Sequence, residues 1–127
     1  SDERNVGDII RDDGVLVGKA HLSHAEIAGR MKYFRDEGVK GLGSPVAVEE
    51  IYEVVVEESR GMIVCPFAHR GTFRKVNTTV TNTKLNMTVR FSDLNIHMIE
   101  EHGFYEGMDS PFRVEPLEVA RVLGLLK

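Results

Sequence analysis

Two arms dense in β-branched residues, Thr72-Phe73-Arg74-Lys75-Val76-Asn77-Thr78-Thr79-Val80-Thr81 and Met87-Thr88-Val89-Arg90-Phe91, flank the polar run Asn82-Thr83-Lys84-Leu85-Asn86. Branching at Cβ restricts χ1 and suits a pleated surface. A polar, Asn-bearing run between two such arms is a turn signal. The segment is therefore expected to be an antiparallel hairpin, with strands over 72–81 and 87–91. An isolated hairpin is marginal in water, so the remaining chain must supply further strands and a packed face.

The neighbouring segments can do so. Tyr52, Val54 and Val56 alternate with Glu53, Val55 and Glu57, and three consecutive valines favour a strand over the helix that Ser44-Pro45 could also open. Glu58-Ser59-Arg60-Gly61 is read as a tight turn into Met62-Ile63-Val64-Cys65, which gives strands over 51–57 and 62–65. Ser23 and Glu26 form a capping-box pattern ahead of Ile27, Met31 and Phe34 at helical spacing, and Gly38 is a natural stop, so a helix is expected over 24–37. Ser92 and Gly103 bracket a helix over 93–102. Pro116 with Glu118 opens a last helix over 116–124. At the other end, Asp12-Asp13-Gly14 reads as a turn and Val15-Leu16-Val17 as a short strand. The expected architecture is α+β: an antiparallel sheet of about four strands with about three helices packed on it. Residues 1–13 are read as a flexible N-terminal segment and 14–127 as a single domain.

With 127 residues and 42% hydrophobic content, the chain is long enough to close a core without staples. No apolar run approaches the length of a membrane-spanning helix, so no membrane partner is expected. A single cysteine forms no internal disulfide and fits a reducing, cytoplasmic setting. The net charge of −4 is unevenly spread. From Ser59 to Ser92 there are six basic residues and no acidic one, while the remainder holds ten basic and twenty acidic residues. Such asymmetry marks an anion-binding face or a self-complementary contact between copies, and it equally describes a solvated strand face. Arg70, Arg74, Lys75, Lys84 and Arg90 are the anion-binding set, with Phe73 as a stacking face for nucleic acid. The acidic remainder and the sparse aromatics argue against nucleic acid and leave an acidic protein partner equally compatible. The β-arms and Leu125-Leu126 suit a homodimer.

Potential metal ligands cluster around the same hairpin. Cys65-x3-His69 and His97-x4-His102 are two close pairs joined by a longer connection, the logic of a zinc site with one thiolate and three imidazoles. The connection is longer than in finger modules, and residues five apart on a helix point about 140° away from each other. On the alternative reading, His97 is a core-edge residue and His102 complements the helix C-terminus. Cys65 is also the one nucleophile of its kind, with His69, His97 or His102 as base and Arg70 favouring the thiolate. A buried structural cysteine is the plainer expectation. His21-x2-His24 at the first helix start could reach a metal or a phosphate at the helix N-terminus, and the plainer reading is that both are incidental to the Ser23 cap. The functional expectation is a small binding or regulatory domain, zinc-assisted through Cys65, His69, His97 and His102. An enzyme using Cys65 or a histidine-bound metal, and anion or nucleic-acid binding by the 70–90 hairpin, are the alternatives.

Overall fold

The computed structural model describes residues 6–64, 72–105 and 114–126, with the backbone alone described at 6, 59–64 and 72–75. Four helices lie with a single four-stranded antiparallel sheet, an α+β fold. In chain order these are α1 (Val6–Lys19), α2 (His24–Val39), β1 (Val46–Val48), β2 (Tyr52–Val64), β3 (Thr72–Asn82), β4 (Met87–Ser92), α3 (Asp93–His102) and α4 (Pro116–Val122). The strands lie in the order β1-β2-β3-β4, each paired with its neighbour in sequence.

Period-two alternation gives the sheet two unlike faces. Tyr52, Val54, Val56, Val76, Val80, Val89 and Phe91 enter the core with Ile27, Met31, Phe34, Ile96, Ile99, Val119, Val122 and Leu123 of the helices. On the other face Glu53, Glu57, Thr88 and Arg90 are exposed, and Val55, Thr79 and Thr81 are half-buried. The hairpin expected at 72–91 is present, with its turn at 83–86. Asn82 stabilises that turn: its side-chain oxygen accepts from Leu85 N–H at 3.0 Å, and its amide donates to Val122 O at 3.0 Å.

α2 begins as expected, with Ser23 Oγ accepting from Glu26 N–H at 3.1 Å. It does not stop at Gly38. The helix runs on to Val39, because Gly38 serves packing rather than chain reversal. A β-carbon there would lie 2.6 Å from Val54 Cγ1 and 2.6 Å from Val56 Cγ2, so glycine lets α2 sit down on β2. α3 matches its expected bounds. Ser92 and Asn95 form a capping box, and Gly103 closes the helix at φ 62°. Phe104 N–H reaches back to Met98 O at 3.0 Å, completing the left-handed cap.

Two local expectations are corrected. Residues 58–61 are not a turn: β2 continues through them to Val64. The register passes from Ser59↔Lys75 to Met62↔Arg74, so Arg60 and Gly61 form a bulge in one long strand instead of joining two short ones. Residues 12–14 and 15–17 are neither turn nor strand but the middle of α1. Ile9, Asp13 and Val17, four apart, are the residues this helix buries, and a buried aspartate at the centre of the stripe disguises the apolar period.

Candidate functional site

The pairing of the strands leaves part of the sheet without flanking strands. β1 covers β2 only at Tyr52–Val54, and β4 covers β3 only from Asn77 to Asn82. Beyond the Glu57↔Asn77 row, five further pairs join β2 and β3, ending at Val64↔Thr72. Over those rows neither strand has a second neighbour among the described residues. The result is a two-stranded ribbon extending about 16 Å past the sheet at roughly 3.3 Å per residue, with a bulge near its base.

The anion-binding set is distributed along this hairpin rather than gathered in one patch. Arg74 and Lys75 lie on the ribbon, opposite Met62 and Ser59. Lys84 is in the β3–β4 turn at the opposite end, and Arg90, exposed on β4, pairs with Thr79. Arg70 lies outside the described residues. Arg60, which the turn reading set aside, falls in the bulge and joins the ribbon group.

Of the four expected metal ligands, Cys65 and His69 also lie outside the described residues. His97 and His102 meet: their ring centroids are 5.3 Å apart, edge to face at 82°. The contact forms at the C-terminal end of α3, where His102 is the last helical residue before the Gly103 cap. Both rings are half-buried. From the Asn77↔Ser92 row the ribbon leads to Val64, and α3, capped by Ser92 and starting at Asp93, runs antiparallel to α2. Arg35 meets Asp93 at 3.5 Å, Lys32 meets Glu100 at 2.6 Å, and His24 meets Tyr105 at 2.9 Å. Arg30 of α2 lies over Tyr52 and Gly38 against Val54 and Val56, so α2 begins, and α3 ends, toward the Tyr52 end of β2 opposite the ribbon. No group of three or more His, Cys, Asp or Glu side chains disposed to hold a metal occurs among the described residues.

A polar node that the sequence reading passed over lies at that opposite end. His24 Nδ1 and the Tyr105 hydroxyl share a hydrogen bond of 2.9 Å, and buried Asp13 of α1 adds its charge to both. Burial holds the His24 pKa below its ordinary value, against the pull of Asp13. Burial, then Asp13, pushes the Tyr105 phenol well above its own. The imidazole is wedged between glycines: a β-carbon on Gly103 would lie 3.0 Å from His24 Nε2, and one on Gly14 3.7 Å from it. Tyr105 is sealed from solvent, so the node orients and locks the α1–α2–α3 junction rather than presenting a reactive group. The i, i+4 spacing of Ile9, Asp13 and Val17 was the signal that could have found it.

A second cluster secures the β1–β2 turn. Arg30 donates to both Glu49 carboxylate oxygens at 2.9 Å and to Leu123 O at 2.8 Å. Its guanidinium also stacks over Phe34 and Tyr33, with centroid distances of 4.6 and 5.0 Å. The hydrogen bond to Arg30 holds the Glu49 carboxyl below its ordinary range.

Comparison with protein-family models, curated proteins and solved structures finds no match. No helix among the described residues is long and apolar enough to cross a membrane.

Proposed function

We propose that this chain is a small binding domain that engages an anionic ligand through the β2–β3 ribbon. The observation that carries the reading is the coincidence of two features. The ribbon is the part of the sheet that extends past its flanking strands, and apart from Glu58 at its base it lies inside the stretch from Ser59 to Ser92 that holds six basic residues and no acidic one. A cationic projection on an otherwise acidic molecule concentrates the attraction for an anion at one place and repels it elsewhere. The helices and core residues supply the rigid base from which it extends.

Heparin is a suitable probe, because it offers dense negative charge without sequence. The full chain is expected to be retained on immobilised heparin at low salt and released as salt rises, with Arg74→Gln/Lys75→Gln eluting earlier. Failure to bind heparin even at low salt would remove the reading. Zinc held by Cys65, His69, His97 and His102 is the second reading, supported by the contact between the His97 and His102 rings. Stoichiometric zinc in the purified chain, lost on Cys65→Ser, would favour it over the first.

A further inference from the structure

We infer that the anionic ligand is duplex nucleic acid, read by insertion of the β2–β3 ribbon into a groove; this rests on the ribbon being the binding element. The strand pairing supplies the shape. A two-stranded ribbon enters the major groove, which is about 12 Å wide, whereas a wider sheet does not. β2 and β3 meet that requirement beyond Glu57↔Asn77, where β1 and β4 no longer flank them. The ribbon's reach of about 16 Å, at 3.3 Å per residue, is enough to cross such a groove. The bulge at Arg60-Gly61 raises the local right-handed twist and bends the strand, so the ribbon need not lie flat.

The charge arrangement matches that shape. Arg60, Arg74 and Lys75 occupy the ribbon's backbone, and Glu58 at its base is its single acidic residue. The acidic residues all lie outside 59–92, nineteen of the twenty off the ribbon, so the acidic remainder that argues against a whole-surface contact with nucleic acid leaves the ribbon as the contact. This separation gives a quantitative expectation. Each phosphate neutralised on duplex DNA contributes about −0.9 to the slope of log K against log salt, so a contact through the three cations on the described rows of the ribbon gives a slope near −3. A protein that lay its whole surface on the duplex would show a much steeper slope.

The test is fluorescence anisotropy of a labelled duplex of about 20 base pairs with the full chain, over roughly 50 to 200 mM salt. The expected result is binding at the low-salt end with a slope near −3. Arg74→Gln/Lys75→Gln should reduce that slope by about two units while leaving thermal unfolding unchanged. Arg60→Gln, a single change, should reduce it by about one unit and stands in if the double variant does not fold. A matched single strand should bind more weakly, since it offers no groove. Four results would each overturn the inference: no duplex binding at low salt, a slope unaffected by both variants, single-strand binding equal to or tighter than duplex binding, and heparin binding without duplex binding. The last would leave the ribbon as an anion-binding element for another polyanion, and loss of heparin binding as well would take the proposed function with it.

Discussion

The guanidinium of Arg30 clamps the carboxylate of Glu49 through two hydrogen bonds of 2.9 Å, across nineteen positions of sequence. Glu49 and Glu50 both sit in the left-handed region, at φ 51° and 68°, which glutamate seldom adopts. The clamp holds this strained turn between β1 and β2, while Arg30 Nε ties the same corner to Leu123 O after α4. Arg30→Ala should lower stability by about 2–3 kcal/mol, since it removes charge-assisted bonds and leaves a carbonyl without its donor. Arg30→Lys should recover less than half of that, because an ammonium cannot form the planar fork. Urea unfolding of the three proteins measures both.

The two glycines of α2 should respond in opposite directions. A β-carbon on Gly38 would lie 2.6 Å from γ-carbons of both Val54 and Val56, whereas one on Gly29 would meet nothing within 4 Å. Gly38→Ala is expected to destabilise by about 1–3 kcal/mol through overpacking. Gly29→Ala is expected to stabilise by about 0.5–1 kcal/mol through helix propensity. Thermal unfolding of the pair is the measurement, and equal shifts would contradict the close helix–sheet approach.

Thr78, between Val56 and Phe91 in the sheet, is 1% exposed, and its hydroxyl has no hydrogen-bond partner. Thr78→Val keeps the shape and removes the unsatisfied group. Stability should rise by about 1 kcal/mol, read from the denaturant midpoint. Thr78→Ser, which keeps the hydroxyl and loses the methyl, should fall below the wild type.

His24 predicts a loss of stability in mild acid. Its folded pKa lies below the ordinary 6.5, so the unfolded chain takes up its proton first as the pH falls. The contribution is complete above 6.5 and declines as pH drops through the folded value. The half-buried ring is partly screened, so the slope should be roughly a few tenths of a kcal/mol per pH unit. His24→Asn, which retains a neutral group at the Nδ1 position, should flatten this part of the profile. Urea midpoints compared above and below the ordinary histidine pKa provide the check.

The hairpin at 72–91 and the helix at 93–102 were legible because their signals are local: branched residues around an Asn-bearing turn, and Ser92 and Gly103 as caps. The errors arose where one residue type serves two purposes. Gly38 reads as a helix stop, yet its missing side chain is what Val54 and Val56 require. Gly61 after Ser59-Arg60 reads as a turn, yet the long-range pairing with β3 absorbs it as a bulge. Asp13 reads as a turn residue beside Gly14, yet it is buried beneath the His24–Tyr105 pair. The potential ligands around the hairpin were visible as residue types, but the placement of His97 and His102 relative to the ribbon depended on the direction in which α3 runs back across the sheet. No local pattern encodes that direction.

The ribbon has one more consequence, for how this architecture can vary. Beyond the Glu58↔Val76 row its strands pair, among the described residues, only with each other, so its length is not set by β1 or β4. Deleting or inserting residues as matched pairs, one on each strand, would shorten or extend its reach and leave Tyr52, Val80 and Phe91 where they are. An unmatched single residue would instead exchange the two faces beyond that point. Changes in reach should thus be far easier to accommodate than changes in handedness, and the body can remain constant while the projection is retuned.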